Sequence, residues 1–371
     1  MPTYIHERPD WPGLRFDMAA IAELLVEVRH QQGLLLGKLE GLGFRFRDEA
    51  GLEMMTSDVL KSSEIEGERL DLTQVRSSIA RRLGLDIAGT DSRDRHVEGI
   101  VEMMLDATRQ YAEPLTVDRL FAWHAALFPT GRSGMRKIVG GAWRTEPMEV
   151  VSGAIGREKV HFEAPAAARL DAEMQRFIEW FNAPPTGDLV LRAALAHLWF
   201  LTIHPFDDGN GRIARALADM ILSRSEHSQR RFYSMSTEIR ALRQDYYLLL
   251  ERTQKGRTLD VTLWIRWFLE CMRAAIANAH HTLARIMAKG RFRETHAGSA
   301  FNDRQRQMLN KLLDGFDGKL TSSKWATITG ASQDSALRDI LDLVTRGALA
   351  RDGESGGRST GYRIVIPAPA P

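Results

Sequence analysis

The chain has 371 residues, 44% hydrophobic and 26% charged, with a formal net charge of +2 at pH 7. That is the make-up of a soluble protein with room for two or three domains, and a near-balanced charge gives no general reason to bind nucleic acid or a membrane. The single cysteine, Cys271, excludes an intramolecular disulfide and a multi-cysteine zinc site; with no ~20-residue apolar span and no signal-like start, the expectation is a cytoplasmic protein.

Residues 1–16 are rich in aromatics, prolines and charge, and Trp11-Pro12-Gly13 reads as a turn before Asp17, which is placed to cap a helix. From Met18 to about Leu42 apolar residues recur at helical spacing, among them Ile21, Leu24, Val28, Leu35 and Leu39. A second helix is expected from about Glu49 to Glu66, stopped by Gly67. Glu64, Glu66 and Glu68 at its end read most simply as a solvated acidic face. Leu72–Leu83 and Asp94–Tyr111 follow as helices, then one capped by Thr116 and running through Phe128. His96, His124 and His197 read as satisfied structural histidines. From Gly140 to Pro165 the period changes to two β-prone runs, Met148–Val151 and Lys159–Phe162, which is a hairpin signal. Helices Ala166–Phe181 and Leu189–Thr202 come next, the second apolar nearly all round and so central to a bundle.

The chain then reaches His204-Pro205-Phe206-Asp207-Asp208-Gly209-Asn210-Gly211-Arg212-Ile213-Ala214-Arg215. Gly209 and Gly211 remove the Cβ atoms that would keep an anion from the backbone N–H groups at a helix start. Asp208 is a hard oxygen ligand suited to Mg²⁺. Arg212 and Arg215, three apart, turn two guanidinium forks to one side of the following helix. His204 stands before the cradle, where a neutral imidazole can take a proton from an attacking hydroxyl. Phe206 is an apolar anchor for the loop. A bare Gly/Asp/Asn loop needs neither the histidine nor the spaced arginines.

This stretch resembles the HPFx(D/E)GNGRxxR signature of Fic-domain proteins at every specified position. The resemblance implies transfer of AMP from ATP to a protein hydroxyl, with His204 as general base and Asp208 as the Mg²⁺ ligand. It also implies that Asn210 contacts the α-phosphate, Arg212 the β-phosphate and Arg215 the γ-phosphate, with Phe206, Gly209 and Gly211 completing the ATP site. The related Doc branch has Lys in place of Gly211 and moves the γ-phosphate, so Gly211 favours adenylylation. Ser62-Ser63-Glu64-Ile65-Glu66-Gly67 resembles the family's (S/T)xxxE(G/N) inhibitory motif, in which Ser62, Glu66 and Gly67 are the specified positions and Glu66 pairs with Arg215. The hairpin resembles the family's flap, with Val160, His161 and Phe162 near the nucleotide and a target protein added as an extra strand. His161 is the one rival to His204 for base chemistry. After the signature helix, which is expected to run to about Ser223, the segment Arg230–Gln254 carries Tyr246-Tyr247. In the family such a pair borders the adenine with an amide seven residues on, here Gln254 where Asn is common.

Leu259–Met287 closes the helical region, and a linker is expected around Gly290 to Asn302. Residues 304–315, Leu320–Trp325 and Ser332–Leu343 read as helices and Ala348–Ile366 as a strand pair, with the turn at Gly353–Thr360. This order resembles a winged helix, with Gln333, Ser335 and Arg338 on a DNA-facing helix and Arg358 on the wing. The expected architecture is mainly α: an N-terminal helical region (1–90), a Fic bundle with a hairpin flap (91–289), and a linker, winged helix and short tail (290–371). The leading function is an autoinhibited protein adenylyltransferase using ATP and Mg²⁺. The alternatives are removal of AMP, with Glu66 orienting a water, and a DNA-binding regulator that senses nucleotide. Homodimerisation through the apolar N-terminal helix and DNA contact through the winged helix are the other partner expectations, and no membrane partner is expected.

Overall fold

Helical periodicity prevails along most of the chain. The computed structural model describes residues 3–41, 43–85, 94–153, 157, 159–316, 318–352 and 360–366. In order these form helices α1 (Ala22–Glu40), α2 (Phe44–Ile65), α3 (Leu72–Leu83), α4 (Arg95–Arg109) and α5 (Val117–Leu127). The strands β1 (Arg132–Ser133), β2 (Arg136–Lys137), β3 (Glu149–Ser152) and β4 (Lys159–Glu163) come next. Then follow α6 (Leu170–Asn182), α7 (Leu189–Ile203), α8 (Asn210–Glu226), α9 (Met235–Ala241), α10 (Arg243–Gln254) and α11 (Thr262–Thr295). The last elements are α12 (Asp303–Gly315), α13 (Ser322–Thr329), α14 (Gln333–Thr345), β5 (Leu349–Asp352) and β6 (Gly361–Ile364). The chain divides into two compact units, residues 1–43 with 47–279, and residues 44–46 with 280–371. Among the described residues no helix is long and apolar enough to cross a membrane.

In the first unit α7 is the central element, and every residue of it except Leu189 and Leu195 is buried. A helix apolar all round is stable only when surrounded. Here α6 and α8 pack against it, and α8 in turn packs against α4 and α5. Asp188 starts α7 by accepting a hydrogen bond from the Val190 amide at 2.7 Å. The same carboxylate takes a two-pronged contact from Arg29 of α1, at 2.9 Å on each oxygen, so the first helix is bolted to the start of the central one. At the crossing of α4 and α5 the backbones approach so closely that a Cβ on Gly99 would collide with the Ala126 carbonyl.

The β3–β4 hairpin is antiparallel, pairing Glu149 with Glu163, Val150 with Phe162, Val151 with Val160 and Ser152 with Lys159. That register leaves His161 as an extra residue on β4, a β-bulge. The inner half of the hairpin is held by the N-terminal segment. Tyr4 meets Phe162 edge-on at 5.1 Å, and the His6 ring nitrogen Nε2 is 2.8 Å from the Glu163 carbonyl.

In the second unit Met308, Trp325, Ile340, Leu343, Leu349 and Tyr362 share one apolar core. Ser332 caps α14 by accepting from the Ser335 amide, and β5 pairs antiparallel with β6 from Leu349–Ile364 to Asp352–Gly361. Arg358 and most of the expected Gly353–Thr360 turn lie outside the described residues.

Several boundaries differ from the sequence reading. Asp17 does not cap α1, because its carboxylate accepts from the nearby Ala19 amide and the helix starts later, behind Ile21. Helix α2 begins at Phe44 instead of Glu49. The segment Arg230–Gln254 splits at Leu242 into α9, capped by Ser234, and α10. Helix α11 continues to Thr295, through the start of the expected linker, since Gly290 alone weakens a helix without ending it. Thr321 starts α13 by capping it, and Leu320 instead bridges to Tyr362. The short β1–β2 pair carried no period for a sequence reading to find.

Candidate functional site

The turn between α7 and α8 is where the chain changes direction, and its shape follows from three residues. His204 closes α7 in the left-handed conformation (φ 51°), its amide donating to the Phe200 carbonyl at 2.9 Å. A non-glycine residue adopts that conformation only at a cost of about 1–2 kcal/mol. Gly209, at φ 80°, precedes the first turn of α8, whose leading amides have no helical partner. Asn210 braces the loop: its side chain accepts from the Phe206 amide at 3.0 Å and donates to the Phe206 carbonyl at 2.8 Å. Both ends of that amide are therefore engaged within the loop. Phe206 is fully buried, stacked on His124 at 4.2 Å and tilted against Trp143 at 5.0 Å.

Arg144 is a supporting residue that sequence reasoning missed. Its guanidinium donates to the carbonyls of His204 at 2.8 Å, Glu146 at 2.9 Å and Pro165 at 2.5 Å, and its amide donates to the Pro205 carbonyl at 2.9 Å. One buried arginine thus ties the histidine turn to both ends of the hairpin segment. No motif marks it, since its partners are backbone atoms 60 and 21 residues away.

His204 lies on the wall of a cavity of about 720 Å³, together with Glu66, Gly211, Tyr246, Tyr247 and Gln254. The volume is in the range of pockets for small organic ligands. Burial pulls the His204 imidazole down to about 4, partly countered by its contact with the Leu201 carbonyl. The ring is therefore neutral at pH 7. Tyr246 is buried with its hydroxyl 3.0 Å from His197, while Tyr247 reaches the Ile65 carbonyl at 3.4 Å. Gln254 donates to the Leu201 carbonyl at 3.3 Å, so its amide is partly committed to the end of α7. From the hairpin His161 and Phe162 also line the cavity, and Val160 stands exposed beside them. Asp208 is oriented by two donors, the Gly209 amide at 2.5 Å and the Ser133 hydroxyl of β1.

Arg212 and Arg215 of α8 are both buried and both already engaged. Arg215 donates to the Ser62 hydroxyl at 2.8 Å, the Ser62 carbonyl at 2.9 Å and Glu66 Oε1 at 2.8 Å. Burial disfavours its charge, but Glu66 together with Tyr246 and Tyr247 outweighs this and its pKa lies above the ordinary value. Gly67, in the left-handed region at φ 87°, then turns the chain so that Glu68 faces the other arginine. Arg212 donates to Glu68 Oε2 at 3.0 Å, and His96 holds the second carboxylate oxygen. Burial pushes the Glu68 carboxyl up, but His96 and Arg212 outweigh it and the group stays below the usual carboxylate range. The simple reading of Glu66 and Glu68 as a solvated acidic face is thus corrected: each is an ion-pair partner of one cradle arginine. A Cβ on Gly211 would collide with Glu66 Oε1, so this carboxylate occupies the space that the glycine opens at the helix start.

His124 and His197 are the structural histidines the sequence suggested, both fully buried. Burial lowers His124 to about 4 and His197 to about 3, from an ordinary 6.5. The unfolded chain then binds protons that the folded chain does not, so their contribution falls as pH drops from 6.5 towards 4. Each costs on the order of 2 kcal/mol on going from pH 7 to pH 5, at about 1.4 kcal/mol per pH unit. Urea unfolding of the native chain should show a lower midpoint at pH 5, and His197→Gln should flatten that dependence. A pH dependence untouched by the replacement contradicts the assignment.

Comparison with known proteins bears on the same residues. Residues 114–222 match the model of the Fic/DOC family, and residues 4–85 match a domain of unknown function, DUF4172. The chain is 28% identical over 218 residues to the protein adenylyltransferase Fic of Drosophila mojavensis, and 27% identical over 219 residues to that of Drosophila willistoni. These matches take in 57% of this chain but only 39% of each relative. Among solved structures, a Fic family protein from Desulfovibrio desulfuricans superposes with a TM-score of 0.56 at 20% identity, covering 96% of this chain and 99% of that one. A Fic-domain signalling protein from Bacteroides thetaiotaomicron gives 0.51 at 19% identity, over 71% and 97%. These likenesses show that the helical fold is shared.

Proposed function

From the Fic/DOC domain that this chain carries at residues 114–222, we propose that it is an autoinhibited protein adenylyltransferase, moving AMP from ATP to a hydroxyl side chain of a target protein. One observation carries this reading. Glu66 and Glu68, two residues apart on one turn, engage Arg215 and Arg212, the pair suited to a polyphosphate. Two carboxylates fill the anion sites, and phosphate must displace them to bind. The curated relatives that align over 57% of this chain are named protein adenylyltransferases, which supports the same chemistry.

In this reading the chain's residues divide the work. His204, neutral at pH 7, takes the proton of the acceptor hydroxyl as its oxygen bonds to the α-phosphorus. The bond from that phosphorus to the bridging oxygen breaks, and pyrophosphate leaves against Arg212 and Arg215. The engaged amide of Asn210 keeps the loop in shape, and its neighbouring backbone N–H groups face the phosphate. Asp208 fits Mg²⁺, because such ions take one or two carboxylates plus substrate phosphates, and two donors already orient this one. When bound, the ion neutralises phosphate charge. Tyr246, Tyr247 and Gln254 border the adenine, and the exposed edge residues Val151 and Val160 offer the target an extra-strand contact. Glu66 shares the cavity with His204, which also supports hydrolysis of an AMP-modified protein as a second activity. For DNA contact α14 offers a mixed face, with Gln333 and Arg338 exposed and Asp334, Leu337 and Leu341 exposed beside them.

The test uses ATP labelled at the α- or the γ-phosphate, with Mg²⁺, cell lysate as acceptor and the Glu66→Gly variant as enzyme. Protein label from α-labelled ATP alone is the expected result. Label from γ-labelled ATP alone makes the protein a kinase instead. Release of AMP from pre-labelled protein by the native chain, lost in Glu66→Gly, identifies the hydrolytic activity.

A further inference from the structure

The hairpin over the cavity is held unevenly. Its inner half is packed: Phe162 is buried with Tyr4, Met148 and Ala164. Its outer half is not, for Val151 and Val160 are exposed and so are Ser152 and Lys159. A two-stranded hairpin is at best marginally stable by itself in water, so the outer half needs a tie.

The bulge on β4 supplies one. His161 has no partner in the strand register, and a bulge re-aims the side chain it carries. The imidazole of His161 lies between two polar groups. Nε2 is 2.5 Å from the Ser152 hydroxyl on β3, and Nδ1 is 2.6 Å from Glu251 Oε2 on α10. Lys255 donates to the other oxygen of Glu251 at 2.8 Å. Lys255 and then His161 hold the Glu251 carboxyl down to about 2, so it is charged at any working pH. Ser152, His161 and Glu251 all line the cavity. The result is a chain of four side chains from one hairpin strand to the other and across to α10, three of them on the cavity wall.

We propose that His161 and Glu251 are positioning residues that latch the outer half of the hairpin over the cavity and so set how fast a nucleotide leaves it. This rests on the reading of the cavity as an ATP site. The latch touches neither the cradle arginines nor His204, so its loss leaves the phosphate contacts in place. His161 then serves the reaction by holding the hairpin, not as the base.

The test works in the Glu66→Gly background and has two readouts. Hydrogen exchange of the hairpin amides reads the latch with no nucleotide present. Stopped-flow release of a fluorescent ATP analogue with Mg²⁺ reads its effect on the ligand. Both His161→Ala and Glu251→Ala should speed exchange at Val151 and Val160 about tenfold, leaving Phe162 protected. Each should also speed release about tenfold, equal to about 1.4 kcal/mol. The double variant should be no worse than either single one, because both remove the same tie. His161→Gln, which can donate to Glu251 and accept from Ser152, should recover most of the native rate. Unchanged exchange in both single variants overturns the latch. Faster exchange with unchanged release overturns its role in holding nucleotide. Faster exchange in a Glu66→Gly parent that binds no ATP shows instead that the reading of the cavity has failed, and the nucleotide part of the proposal falls with it.

Discussion

AMP transfer should rise about 10- to 100-fold on replacing Glu66 with glycine, and approach 1000-fold when Glu68→Ala is added. A charge-assisted hydrogen bond contributes about 1.5–3 kcal/mol, and each carboxylate holds one arginine that the phosphates need. The two contributions differ in kind. Glu66 has Arg215 in common with Ser62 and lies against Gly211, so it blocks both a guanidinium and the helix start. Glu68 blocks Arg212 alone and is itself shared with His96, which gives Glu68→Ala by itself the smaller effect, about tenfold. The same logic sets an opposite change in stability. Arg212 and Arg215 are almost wholly buried, and removing the partner of a buried charge is destabilising. The double variant should therefore melt below the native chain without nucleotide and recover with ATP and Mg²⁺, where phosphates replace the lost carboxylates. Initial rates with α-labelled ATP and melting curves with and without ATP measure the two sides. If Glu68→Ala changes neither the rate nor the response to ATP, the second block is not a block.

What was legible in the sequence depended on how far the partners lie along the chain. The cradle could be read because His204, Asp208, Gly209, Gly211, Arg212 and Arg215 sit within twelve residues, and a turn followed by one helix turn brings them together whatever surrounds them. Helix α7 was legible because a helix apolar on every side has only one place to go. Glu66 was accessible through a short motif that ends in Gly67. Glu68 was not, since its pairing with Arg212 depends on the left-handed turn at Gly67 aiming it at a residue 144 positions away. Arg144 was hidden for a different reason: it grips backbone carbonyls, which every residue has and no sequence pattern marks. The bulge at His161 is a property of strand register, and the composition of the hairpin does not encode it. The early start of α2 was hidden because its N-cap, Gly43, makes no side-chain cap hydrogen bond, and the late end of α11 because Gly290 weakens a helix without ending it.

Replacing His204 with alanine in the Glu66→Gly background should cut transfer by about 10²- to 10⁴-fold, the usual contribution of a positioned general base, while ATP still binds. Retained binding is expected because the phosphate contacts come from Arg212, Arg215 and the start of α8, and none of them depends on the imidazole. The loss then falls on kcat, which separates a base from a binding residue. The pH profile carries the sharper evidence. With its pKa lowered to about 4 by burial, His204 is neutral and competent as a base at pH 7, and protonation on acidification switches it off. The negative charge of bound ATP opposes that lowering and moves the titration upward. The acid limb of kcat should accordingly fall between about 4 and the ordinary histidine value near 6.5, with activity lost as pH drops through it. An acid limb that persists in the residual activity of His204→Ala belongs to another group, and His161 becomes the next base to test. Isothermal titration with ATP and initial rates from pH 4.5 to 8 supply both measurements on one pair of variants. Arg144 predicts how the limb should respond to the scaffold: Arg144→Lys loosens the His204 carbonyl without removing the imidazole. That change should therefore lower kcat while leaving a histidine limb in place, a pattern that removal of the base itself does not produce.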